Sequence, residues 1–137
     1  MRLGPGRGAP ARQDRAAQWR REQAAAPKLG AMFPAVEQLR FELSFEGGGT
    51  CTPVPQAHIL HPAARAHFFF PCPYADCDGW FELTAAVNAA VEDPSHRIEG
   101  TLECGGSRAS GFVSKPHCHL RVYFTLTAAC SPTPPAH

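Results

Sequence analysis

The stretch CPYADCDGWFEL, residues 72–83, decides how this chain is read. Two cysteines bracket four residues, the first of them a proline, and an Asp-Gly pair and an aromatic run follow. Three chemistries fit such a turn: half of a metal site, one arm of a disulfide, or thiols left free in an ordinary turn. The flanks narrow the structural setting. AHFFF (66–70) leads in and GWFEL (79–83) leads out, so the pattern predicts a hairpin with Cys72 and Cys77 at its tip.

A second unit of the same design lies downstream. HRIEGTLE (96–103) runs into Cys104, and HLRVYFTLT (119–127) begins directly after Cys118. The latter is the clearest strand in the chain. Leu120, Val122, Phe124 and Leu126 alternate with Arg121, Tyr123, Thr125 and Thr127, the period of a half-buried strand. Between Cys104 and Cys118 runs a long Gly/Ser-rich loop. LRFELSFE (39–46) alternates in the same way before Gly47-Gly48-Gly49. TCTPVPQA reads as a loop or a poor edge strand, because Pro53 and Pro55 cannot donate to a ladder. HIL (58–60) reads as a short strand. TAAVNAAVED reads as a helix with Thr84 as its N-cap, stopped at Asp93-Pro94. Short connections favour antiparallel neighbours. The predicted class is therefore α+β: a small antiparallel β-sheet with one short helix across a face.

The ends differ from the body. Residues 1–31 contain few large apolar side chains; Leu3, Trp19 and Leu29 are too sparse to build a core. This segment is expected to be a flexible, disordered basic arm, with a transiently helical middle around residues 14–26. Residues 131–137, SPTPPAH, are expected to be a disordered tail. That leaves residues 32–130 as the folded domain, small enough to need a staple. Met32 opens the first core-like segment, which raises the expectation that the native protein begins there.

Charge is divided between these parts. The arm has seven basic and two acidic residues, a net of +5; the remainder has six basic and ten acidic, a net of −4. An acidic body disfavours nucleic-acid binding by the folded domain, since phosphate contacts need a basic surface. A protein partner suits it better. The first thirty residues show no apolar signal-peptide core, and no run approaches the length of a membrane span. The expectations are no membrane association, a cytoplasmic location and reduced thiols.

Cys72, Cys77, Cys104 and Cys118 thus sit at the turn ends of two hairpins. Four thiolates meet the demand of a structural zinc, which takes four ligands in a tetrahedron. At this point the residues resemble a known family. CPYADCDGWFEL is similar to the first knuckle of zinc-ribbon proteins, with Cys-Pro opening the turn, a second Cys close behind and Gly79 leading into an aromatic strand. LECGG resembles the opening of the second knuckle through Cys104 and Gly105. The likeness covers about 60 residues, 66–127. It implies zinc-ribbon-like knuckles holding a structural Zn2+. Two features depart from the pattern: four residues separate the first pair of cysteines and thirteen the second. The closing ligand is accordingly the open one, with His117 or His119 as substitutes for Cys118. The whole chain is also similar to small bacterial proteins, a likeness that implies no activity.

Other groups carry weaker signals. His58, His61 and His67 could form a second metal site or be surface and core residues. Cys51 and Cys130 read as spectators. Asp76, Asp78 and Glu82 read as polar turn residues. GGGT lacks the Lys-Ser/Thr of a phosphate loop, and Ser107, Ser110 and Ser114 lie in no recognisable nucleophile motif. The favoured function is a structural-zinc binding module that presents a surface to a protein, with Tyr74, Trp80, Phe81 and the HFFF run as contact candidates. A small zinc-dependent enzyme, or a thiol redox or metal-trafficking protein, is the alternative; no residue pattern marks a catalytic base.

Overall fold

The computed structural model describes residues 11–47, 51–106 and 118–131. The α+β class and the antiparallel pairing hold. The chain runs α1 (Ala11–Ala25), α2 (Leu29–Met32), β1 (Val36–Glu46), β2 (Gln56–Leu60), β3 (Phe69–Pro71), β4 (Trp80–Glu82), α3 (Thr84–Glu92), β5 (Arg97–Glu103) and β6 (Arg121–Cys130). Four strands make one antiparallel sheet in the order β2-β1-β6-β5, and β3 and β4 form a separate two-stranded hairpin. Two helices besides α3 are present among the described residues.

The two longest strands form the middle of the large sheet. Their register sets Phe41 opposite Leu126, Leu43 opposite Phe124 and Phe45 opposite Val122. The alternation seen in each sequence therefore lands on one shared face, and all six side chains are buried. Polar residues take the opposite, wet face, as suits an antiparallel sheet covered on one side. Val36 and Leu39 are both buried although three residues apart. A register shift between Val36 and Gln38 absorbs the extra residue and restores the inward phase. At the far edge Gly100 pairs with Phe124, and the Phe124 ring lies over the glycine.

The second layer covers this face. The hairpin β3–β4 lays Phe68, Phe70 and Phe81 on the sheet: the Phe41 and Phe70 ring centroids are 5.1 Å apart, and those of Phe45 and Phe81 are 6.4 Å apart. The helix α3 contributes Val87 and Ala90 to the same core. Its N-cap is Leu83, with no side-chain cap, so Thr84 is the first helical residue instead of the expected cap.

In the N-terminal segment the helix expected around residues 14–26 is present as Ala11–Ala25, and the described part, residues 11–31, also touches the body. The indole of Trp19 donates to the Phe69 carbonyl at 2.7 Å, satisfying an edge group of the small hairpin. Just beyond, the Leu29 amide donates to Ala64 O at 2.7 Å and the Ala66 amide to Pro27 O at 2.7 Å. These bonds carry Leu29 into the core, where it is fully buried. Sparse apolar content misjudged this residue, because backbone pairing to a distant loop recruits it. Residues 1–10 of the expected arm and 132–137 of the expected tail lie outside the described residues. Among the described residues, no helix is long and apolar enough to cross a membrane.

Truncating Leu29 tests this docking. Leu29→Ala is expected to destabilise the protein by about 2–5 kcal/mol, the usual cost of emptying a core leucine site; chemical denaturation measures it. A change below about 0.5 kcal/mol, typical of exposed positions, would mean that the segment does not pack.

Candidate metal centre

Each of the four predicted cysteines flanks a strand, two of them on the small hairpin and two on the large sheet. Cys72 follows β3 and Cys77 precedes β4, and the Cys72 amide donates to Gly79 O at 3.0 Å across the hairpin. Cys104 follows β5 and continues its ladder with β6, the Cys104 amide donating to Leu120 O at 2.8 Å. The Cys118 amide in turn donates to Gly106 O at 2.9 Å. The small hairpin and the end of the large sheet thus bring two pairs of thiols face to face.

The four Sγ atoms all lie within 4.8 Å of one another, and all four residues are buried. Cys77 Sγ and Cys104 Sγ are 3.5 Å apart, and Cys72 Sγ and Cys118 Sγ are 3.8 Å apart. A disulfide needs about 2.05 Å, so neither pair is bonded. A tetrahedron with zinc–sulfur bonds of about 2.3 Å has edges of about 3.8 Å. The spacing and the all-sulfur donor set therefore fit a tetrahedral ion that prefers thiolate. Cys118 is fully buried within the cluster. His119 is not: its Nδ1 lies 3.0 Å from Glu103 Oε2, on an exposed side chain. His117 lies outside the described residues.

Backbone amides serve the sulfurs in a repeated pattern. Gly79 N donates to Cys77 Sγ at 3.3 Å, and Gly106 N donates to Cys104 Sγ at 3.4 Å. Each donor stands two residues after its cysteine. The Tyr74 amide, two residues after Cys72, likewise favours that residue's thiolate. Such bonds stabilise negative charge on sulfur.

The glycines act by close approach. A Cβ on Gly79 would collide with Cys104 Sγ, and would stand 2.9 Å from Gly106 N. One on Gly106 would stand 2.5 Å from Gly79 N and 2.6 Å from Gly79 Cα. The two knuckles therefore meet glycine against glycine. Gly79 does not owe its place to a positive φ, since among the described residues the only glycine with positive φ is Gly47. One expectation changes here. Gly105 was expected to be the second knuckle's glycine, but a Cβ there would meet nothing within 4 Å. The repeated C-x-G of Cys77–Asp78–Gly79 and Cys104–Gly105–Gly106 was the signal for the correct one.

Without a cation, sulfurs this close share protons unequally. The Cys104 thiol is pulled down to about 5, chiefly by a hydrogen bond with Cys72. Cys72 is pushed up by the same bond and by burial. Burial first, then neighbouring cysteines, push Cys77 up to about 12. Cys104 is thus favoured as the thiolate over Cys72 and Cys77, because like charges in a dry site repel.

The other sequence candidates fall outside this centre. Among the described residues, the cysteine cluster is the only group of three or more ligating side chains within reach of one ion, so His58, His61 and His67 do not form a second one. Cys51 is exposed, Cys130 is half-buried, and neither joins the cluster. Phe68 and Phe81 are core residues, while Tyr74 and Trp80 keep partial exposure. No family model, curated protein or solved structure matches the chain.

Three alanine substitutions separate steric from conformational roles. Gly79→Ala and Gly106→Ala are each expected to destabilise by at least about 1–3 kcal/mol through overpacking and to weaken metal retention. Gly105→Ala is expected to be tolerated. Denaturation midpoints and metal content of the three variants check this ordering.

Proposed function

We propose that the protein is a small structural-zinc module whose ion fastens the β3–β4 hairpin to the β5–β6 end of the large sheet, and whose role is to present the resulting surface to a protein partner. One observation carries the reading: four buried cysteine sulfurs lie within 4.8 Å of one another. Four sulfurs complete a tetrahedral shell, and a closed shell leaves no position for water or substrate. Structural zinc fits that arrangement better than catalytic zinc does. Burial of all four residues argues against redox or metal-transfer duty, which needs accessible thiolates.

The resemblance to zinc-ribbon knuckles supports the same assignment at Cys72, Pro73, Cys77 and Gly79. The ion's chemistry here is electrostatic. It holds four thiolates that would otherwise repel, and the site as a whole then carries −2. That charge adds to the −4 of residues 32–137, which is set against the +5 of residues 1–31. A protein surface, with basic groups of its own, suits such a body better than a nucleic acid does.

The test is metal analysis of protein purified without added metal. One zinc per chain is expected. Removal by a strong chelator should lower the melting temperature by more than about 10 °C, since structural zinc contributes much of the folding free energy of small domains. Substoichiometric metal, or an unchanged melting temperature after removal, would contradict the proposal.

The proton inventory gives a further prediction. Cys72 and Cys77 favour the thiol in the apo cluster, so binding must displace at least two protons at neutral pH. Protons compete with the cation, and affinity falls as pH falls. Apparent affinity should drop by about a hundredfold per pH unit between pH 8 and 6, tenfold for each displaced proton. Competition titration with a chromophoric chelator measures the slope; a pH-independent affinity would contradict it.

A further inference from the structure

The free edge of the large sheet carries an inference that stands whether or not the metal reading holds. Among the described residues, β5 is the outer strand and pairs with β6 on one side only. The Cys104 amide bonds Leu120 O, and the Ala128 amide bonds His96 O. On the register of β5 with β6, these bonds mark the even-numbered residues as the ones whose backbone faces β6. Arg97, Glu99, Thr101 and Glu103 therefore turn their N–H and C=O groups outward. Among the described residues no backbone group bonds them on that side, and the Arg97 carbonyl alone has a side-chain neighbour, Ser95 Oγ at 3.4 Å. Such an edge is a template for another strand. The opposite edge is better guarded: β2 has only five residues, and Pro55 and Pro62 stand close to its two ends.

The sequence of this edge complements itself. RIEGTLE, residues 97–103, laid antiparallel on a second copy with Gly100 opposite Gly100, sets Arg97 against Glu103, Ile98 against Leu102 and Glu99 against Thr101. Every outward-facing backbone group then meets another outward-facing one, so the odd-numbered residues form the hydrogen-bonded pairs. A slip of one residue would set outward groups against groups already bonded to β6 and lose those bonds. A slip of two would set Glu99 opposite Glu103 or opposite its own copy, and like charges directly opposite are destabilising. In the Gly100 register Glu99 meets acidic groups only diagonally, and its own Arg97 holds it at 2.6 Å. The Arg97 fork has five N–H donors and serves a second carboxylate as well. Arg97 and Glu103 are exposed, while Ile98 and Leu102 are half-buried and lie against the core. Gly100, at the centre, has no side chain to meet its copy where Cα atoms approach to about 4.5 Å.

We propose that the protein associates with a second copy of itself through β5, the two strands pairing antiparallel about Gly100 and joining the two large sheets into one. The contact is two-fold symmetric: each Arg97 meets the Glu103 of the other copy, and each Ile98 meets the other Leu102. Self-complementary charge and a single consistent register favour this occupant over a strand of unrelated sequence.

The test is sedimentation of the full, metal-loaded chain over a range of concentrations. A dimer of twice 14.8 kDa is expected, with a dissociation constant on the order of micromolar, as suits a small interface. Arg97→Glu and Glu103→Arg each set like charges opposite one another at both symmetric positions, and each should weaken the dimer by about tenfold or more. Mixed together, the two variants should associate nearly as tightly as the unsubstituted chain, because every charge again meets its opposite. A merely structural defect would not be cured by mixing. Thr101→Pro probes the backbone: the Thr101 N–H points away from β6, so proline removes an intermolecular donor and leaves the ladder within the chain. This variant should be monomeric with unchanged metal content. Metal content read on the same samples separates failure of this pairing from failure of the metal reading. A monomer at every concentration up to about 500 µM, far above the micromolar range expected, would overturn the proposal and leave the edge to a different partner. So would a dimer that all three variants leave unchanged, or charge variants whose mixture associates no better than its parts.

Discussion

Four sulfurs crowded into a dry interior form an electrostatic constraint on the whole molecule. Each is buried, and each lies within 4.8 Å of the other three. As thiols they fill space weakly; as thiolates they repel at low dielectric, where a unit charge pair interacts far more strongly than in water. A divalent cation turns that liability into attraction. The amides of Gly79 and Gly106, aimed at Cys77 and Cys104, already point partial positive charge at sulfur. Backbone and side chains in this corner are arranged for anionic ligands.

The rest of the fold can be understood as the frame that brings the two pairs together. β1 and β6 are long and in register, so they form a stiff centre from which β5 runs outward to Cys104. The hairpin β3–β4 is only three residues long on each side. A two-stranded ribbon of that size is not stable alone. It is held from two directions: aromatic rings press it onto the sheet, and its cysteines face Cys104 and Cys118. Contact between Gly79 and Gly106 lets the two turns approach closely. A third tie comes from outside, where Trp19 satisfies the Phe69 carbonyl.

Much of this was legible in the residues. Strict alternation in 39–46 and 119–127 has one interpretation, and both segments are strands with the expected faces buried. The four cysteines could be singled out because each abutted a strand-like run at a turn. What escaped was long-range. No local pattern says that β1 pairs with β6 across some eighty residues, or that β3–β4 leaves the main sheet. Leu29 was invisible for the same reason: its burial follows from backbone bonds to Ala64, not from its neighbours in sequence. The glycine assignment failed at a finer scale. Gly105 and Gly106 are adjacent and chemically identical, and only the packing of one knuckle on the other distinguishes them.

The most direct measurement is X-ray absorption at the zinc edge on protein purified without added metal. The account predicts a single shell of four sulfurs at about 2.3 Å, with no nitrogen or oxygen neighbour. Nitrogen or oxygen in the first shell, or no zinc edge at stoichiometric strength, would contradict it.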